Sequence, residues 1–140
     1  MVIAGIGYQG RSVDDLVQAL RTAKIAAVID VREVPWSRKP GFSKGKLGAS
    51  LAQAGIRYIH LRAAGNPREN RRTARSTEEC LSRYRQHLAK EPAVLKEIAE
   101  AAQKERIVLL CFEAAWEDCH RSILIEQIAS LYGEIEVVAL

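Results

Sequence analysis

What is scarce in this sequence closes several classes. No stretch approaches the ~18 apolar residues that a membrane-crossing helix needs. The opening "MVIAGIGYQG" has neither a basic flank nor a long apolar segment, so no signal peptide is expected and the expected setting is cytoplasmic. Only three cysteines are present, an odd and low number that favours reduced thiols over a disulfide framework. Internal repeats and low-complexity tracts are lacking, which argues against a repeat architecture. What remains is ordinary for a globular chain: 48% hydrophobic and 27% charged residues over a length suited to one domain, residues 1–140.

The hydrophobic pattern predicts strands at 2–8, 25–31, 56–61, 106–112 and 134–140, each a nearly continuous apolar run. Between them lie helical patterns. Ser12 followed by Asp15 resembles a capping box and opens a helix reaching about residue 23. Others are expected at 44–54, closed by Gly55, at 77–90, at 92–104, and from Cys119 to Tyr132. Residues 32–43 and 62–76 read as loops, because proline and glycine interrupt the first and the second has no apolar period. Buried-looking strands alternating with helices imply a three-layer α/β/α domain on a mostly parallel five-stranded sheet, Rossmann-like or flavodoxin-like. The strand order does not follow from this pattern.

In such a sheet every strand ends on one edge, and ligands bind there. The rule gathers scattered residues into one expected site: Gly7, Tyr8, Gly10 and Arg11 after the first strand; Asp30, Arg32, Trp36, Ser37 and Arg38 after the second; His60 and an arginine-rich loop after the third; Cys111, Glu113, Trp116, Cys119, His120 and Arg121 after the fourth. Gly5, Gly7 and Gly10 have dinucleotide-loop spacing, but Tyr8 stands where such a loop keeps a small residue, so a tight strand-to-helix turn is the competing reading. Arg32 and Arg38 are candidate anion clamps, although Arg32 could instead pair with Asp30 or Glu33. Net charge is +4, and residues 62–85 alone hold seven arginines against three glutamates, a surplus equal to that of the whole chain. A localised arginine cluster points to a phosphate-bearing partner.

"CFEAAWEDCHRS", residues 111–122, sets two cysteines and a histidine ahead of an apolar helix. A thiol at a helix start beside His and Arg would favour its thiolate, making Cys119 a candidate nucleophile, His120 its base or donor, Glu113 a further catalytic group and Arg121 an anion clamp. No metal is expected: C-x-E-x5-C-H lacks the paired spacing of structural zinc sites, and adjacent Cys119 and His120 would point apart on a helix. A packed structural corner is the bland alternative. Cys80, on an apolar helical face with Leu81 and Tyr84, reads as core.

"GYQGRS", "DVREVPWSRKPGFS", "YIHL", "AGNPRENR" and "LLCFE…CHRS", in this order, resemble the domain-of-unknown-function family numbered 488. The resemblance implies a single α/β domain and marks Tyr8, Arg32, Pro35, Ser37, Pro40, Phe42, Cys111, Glu113, Cys119, His120 and Arg121 as motif positions; Ala64 departs from it, where Leu is expected. A fainter likeness to rhodanese and phosphatase loops fails on spacing, because neither Cys111 nor Cys119 stands at the right interval before Arg121. The expected function is therefore binding of a phosphate-bearing ligand, nucleotide or nucleic acid, at the C-terminal edge of the sheet. The alternatives are a thiol-dependent enzyme using Cys119 with Cys111, and a non-catalytic interaction module docking through 62–85. No membrane partner is expected, and the sequence names neither a cofactor nor an oligomeric state.

Overall fold

The computed structural model describes residues 1–115 and 119–140. Five strands, β1 (Val2–Gly7), β2 (Ala27–Asp30), β3 (Arg57–His60), β4 (Ile107–Cys111) and β5 (Glu136–Ala139), form one parallel sheet in the order β3-β2-β4-β1-β5. Burial follows this order. The central β2 and β4 are buried throughout and β1 from its second residue on, while the edge strands β3 and β5 are only partly covered. The apolar runs at 2–8, 25–31 and 106–112 thus mark strands enclosed on both faces, whereas those at 56–61 and 134–140, interrupted by charged residues, are the edge strands.

Helices α1 (Val13–Thr22) and α2 (Lys44–Gln53) cover one face, where Leu16, Leu20, Leu47 and Leu51 pack on Ile6, Val28 and Leu110. Helices α4 (Thr77–Ala89), α5 (Pro92–Lys104) and α6 (Arg121–Tyr132) cover the other, where Leu88, Ile98, Leu124 and Ile128 pack on Ile3, Ile29 and Leu109. The expected three-layer α/β class is what forms. Its strand order is its own: Rossmann and flavodoxin-like sheets set their first two strands side by side, whereas here β4 separates β1 from β2.

Local signals hold where capping chemistry is involved. Ser12 Oγ accepts from Asp15 N at 3.1 Å, and Ser12 N donates back to Asp15 Oδ2 at 3.4 Å, completing the capping box. Gly55 follows α2 with φ +74, the left-handed turn that ends many helices. Residues 62–76 depart from the expected loop, forming a 3-10 turn at Arg62–Ala64 and a short helix α3 (Arg68–Thr73). No residue of α3 is buried, so it has no apolar period to betray it. Helix α6 starts at Arg121 rather than Cys119, with His120 as its N-cap.

The topology positions the site. The chain leaves β1 and β2 toward α1 and α2 on one face, and leaves β4 toward α6 on the other. Because β4 lies between β1 and β2, its exit loop parts from both neighbours, and such a divergence opens a crevice at the strand ends. No helix among the described residues is long and apolar enough to cross a membrane.

Candidate functional site

A cleft of about 530 Å³ lies at this divergence. It is lined by Cys111, Glu113 and His120, by the rings of Tyr8, Trp36 and Phe112, and by Asn66, Cys80, Arg71 and Arg75.

Cys111 ends β4 and, like Ile107 and Leu109, belongs to the core on the α4–α6 side. The chain then runs across the end of β1 so closely that a Cβ on Gly7 would lie 1.8 Å from the Glu113 carbonyl oxygen. Only glycine lets the two backbones meet there. Cys119 re-enters the core and brings its sulfur against that of Cys111, across a Cα separation of 7.8 Å. The sequence reading placed both cysteines at one sheet edge as reduced thiols, and the structure brings their sulfurs into contact.

His120 Nδ1 lies 3.4 Å from Cys119 Sγ, and its Nε2 lies 2.8 Å from the Val31 carbonyl oxygen. A carbonyl can only accept, so Nε2 carries the proton and Nδ1 turns its lone pair to the sulfur. Burial pushes the imidazole pKa down and keeps the ring neutral. As a thiol, Cys111 donates to Glu113 Oε2 at 3.1 Å. The donor atoms of Cys111, Cys119 and His120 all lie within 4.8 Å of one another. The expectation that Cys119 and His120 point apart therefore fails: both precede the first turn of α6 and escape its helical stagger. For the same reason Cys119 is not in the first turn of a helix, as the sequence suggested.

The end of β2 is built differently. Arg32 donates from Nε to Asp30 Oδ1 at 2.9 Å and from Nη2 to Asp30 Oδ2 at 2.7 Å. Its Nη1 donates to the Phe42 carbonyl at 2.8 Å and reaches the Tyr8 hydroxyl at 3.3 Å. The Tyr58 hydroxyl donates to the second oxygen of Asp30. Tyr8 stacks on Phe42 with ring centroids 4.6 Å apart and meets Phe112 edge-on at 5.4 Å. Asp30 and Arg32 are both buried. Arg32 lines the cleft, but its guanidinium makes four hydrogen bonds inside the protein.

The remaining residues expected at the site divide as follows. In the glycine loop, Tyr8 N and Gln9 N donate to Cys111 and Phe112 carbonyls, Arg11 N donates to Tyr8 O, and α1 begins with Asp14 and Asp15. Amides already in use, beside two carboxylates, make a poor phosphate cradle. Gly10 is an exposed turn with φ +76. Ser37 orders its own loop through Ser43 and Lys39, and Arg38 is exposed and outside the cleft lining. Arg121 is 1% exposed, donates from Nη2 to the Glu113 carbonyl at 2.6 Å and lies against Gly5, holding the loop from beneath rather than lining the cleft. His60 hydrogen-bonds the Arg32 carbonyl through Nε2 at 2.7 Å. Trp116 lies outside the described residues.

The arginine-rich segment is less uniform than its composition. Arg72 pairs with Glu69, Arg83 with Glu79 and Arg85 with Glu126. Arg71 and Arg75 line the cleft, and neither side chain forms a salt bridge with a carboxylate among the described residues. Cys80, expected in the core, is half-buried and lines the cleft, its sulfur accepting from Asn66 Nδ2 at 3.2 Å. Sequence reasoning singled out the arginine cluster without choosing Arg71 and Arg75 from it, and passed over Asn66, Cys80 and Phe112. Phe112 and Trp36 are 47% and 62% exposed, a degree of exposure that an apolar run and a loop tryptophan do not reveal.

Fold and cleft together define a three-layer α/β domain with a thiol- and imidazole-bearing site at its strand ends. Residues 12–128 match the family model described as domain of unknown function DUF488, and the chain belongs to that family. No curated protein and no solved structure matches the chain significantly.

Proposed function

We propose that the cleft binds a phosphate-bearing ligand, and that Arg71 and Arg75 are its anion contacts. The observation that carries this reading is the division of the arginine cluster: Arg72, Arg83 and Arg85 have glutamate partners, whereas the two arginines on the cleft rim do not. Arg32 and Arg121, two of the three arginines first expected to clamp an anion, make hydrogen bonds inside the protein. Exposed Trp36 and Phe112, which also line the cleft, supply ring surfaces on which a base can stack. A volume of about 530 Å³ is the size of a small-molecule site and favours a nucleotide over a nucleic acid strand.

Calorimetric titration with inorganic phosphate, nucleoside mono-, di- and triphosphates, and short single-stranded DNA tests this. A nucleotide should bind more tightly than phosphate alone, and Arg71→Ala or Arg75→Ala should each weaken it roughly tenfold or more, the loss of one charge-assisted hydrogen bond. Unchanged affinity in the double variant would sink the reading. Tightest binding to DNA with a steep salt dependence would replace the nucleotide by a nucleic acid.

A second reading, a thiol-dependent enzyme, is favoured by the lone pair of His120 Nδ1 facing Cys119 Sγ. Of this pair only Cys111 lines the cleft, so Cys119 would act from behind it. Alkylation of the reduced, metal-free protein followed by peptide mass spectrometry should then modify Cys111 or Cys119 faster than Cys80, despite their deeper burial. Fastest modification of Cys80 would count against it.

A further inference from the structure

The meeting of Cys111, Cys119 and His120 supports an inference that does not rest on the phosphate reading. We propose that these three residues form a binding site for a thiophilic divalent transition-metal ion, zinc by ligand chemistry, with an open coordination position facing the cleft. Two sulfurs and an imidazole nitrogen within 4.8 Å of one another are a borderline-soft donor set of the type zinc takes.

Three features of the surroundings fit an ion better than a covalent bridge or free thiols. Disulfides usually span Cα separations of about 4.4–6.8 Å, and Cys111 and Cys119 stand 7.8 Å apart, so a relaxed bridge would require the backbone to close in. The bond from His120 Nε2 to the Val31 carbonyl is the arrangement that orients metal-bound histidines: the outer nitrogen is tied to an acceptor and the inner one is left as donor. The third feature is charge. Both cysteines are 1% exposed, so two thiolates alone would be a costly buried dianion. A divalent ion replacing two thiol protons leaves two thiolates, one neutral imidazole and no net charge, and the two protons leave to solvent.

The ligands come from two directions. Cys111 ends β4, a central strand buried throughout, and Cys119 and His120 precede α6, so binding would pin the exit and return of the loop between them. Cys111, Glu113 and His120 all line the cleft, which puts the fourth position within reach of either the Glu113 carboxylate or a ligand bound above it. Three protein ligands with one open position is the pattern of catalytic rather than structural zinc.

The test uses the whole chain, reduced, stripped with a chelator and titrated with Zn²⁺ or Co²⁺ alone. The expected result is one ion per chain, with thiolate-to-cobalt charge-transfer absorption for Co²⁺. Cys111→Ser, Cys119→Ser and His120→Ala should each lower affinity by about 100-fold or more, above the ~10–100-fold typical of outer-shell changes, while Cys80→Ser leaves it unchanged. Failure of the reduced wild-type protein to bind either ion overturns the proposal, and so does cobalt binding without the thiolate band; neither outcome depends on a variant folding. Because no nucleotide is present, the site can fail while the anion reading stands, and Arg71→Ala with Arg75→Ala should leave ion affinity unaltered.

Discussion

The ends of β2 and β4 are neighbours on one edge of the sheet, and both bear polar groups at the base of the cleft, yet they are finished in opposite ways. At β2, Asp30 is enclosed by Arg32 and Tyr58, and Arg32 by Asp30, Tyr8 and the Phe42 carbonyl. At β4, the sulfurs of Cys111 and Cys119 and the Nδ1 lone pair of His120 converge on one another, with Glu113 alongside. A saturated network rigidifies an edge and has little capacity left for a ligand. A convergent set of lone pairs is what chemistry or metal binding requires. Arginine next to a carboxylate and cysteine next to histidine look equally site-like as sequence, and the difference lies in which donors are already spent.

The comparison breaks most severely at Asp30. Asp30→Ala should leave the buried Arg32 without its counter-charge and destabilise the protein by about 3–5 kcal/mol, the usual result of orphaning one member of a buried ion pair. Urea denaturation measures this, and a loss below about 1 kcal/mol would mean that Arg32 is not held as described. Gly7→Ala comes next. Its new methyl would press on Glu113 backbone at the entry to the β4 loop, and forcing backbones apart should cost about 1–3 kcal/mol. Gly10→Ala meets open space but keeps a strained φ of +76, so it should cost less than Gly7→Ala; the reverse ranking would refute the close-approach argument. Arg71→Ala and Arg75→Ala should change stability by less than ~0.5 kcal/mol, while acting on anion affinity.

Much of this was legible in the sequence, and the gaps have definite causes. The strands were visible because a strand buried on both faces must be apolar throughout, and Ser12, Asp15 and Gly55 announced helix ends through capping chemistry. Helix α3 was hidden because it buries nothing. Strand order is set by which crossovers pass over which face, a choice the residues of a single strand do not encode. At the strand ends, the rule gathered loops whose residues line one cleft, but it could not say which arginines were spent. Arg32 has its partner two residues away, and Arg71 differs from Arg72 only in which way α3 turns it. Cys80 was misplaced because its neighbours Leu81 and Tyr84 gave it an apolar face, although its sulfur meets Asn66 and it lines the cleft together with Leu81.

A pH-dependent effect sharpens the saturated end. Burial, and then the hydrogen bond to the Asp30 carboxylate, raise the Tyr58 phenol pKa above its ordinary value near 10. A folded-state pKa above the unfolded one means that the contribution is fully present below pH ~10 and is lost as pH rises past it, because the unfolded chain gives up its proton first. Stability should therefore decline above pH ~10, and Tyr58→Phe should flatten that decline while costing roughly 1 kcal/mol at neutral pH, the worth of one hydrogen bond. Denaturation midpoints of both proteins at neutral pH and above pH ~10 decide the matter. Parallel curves would show that Asp30 is satisfied by Arg32 alone and that Tyr58 is incidental to the network.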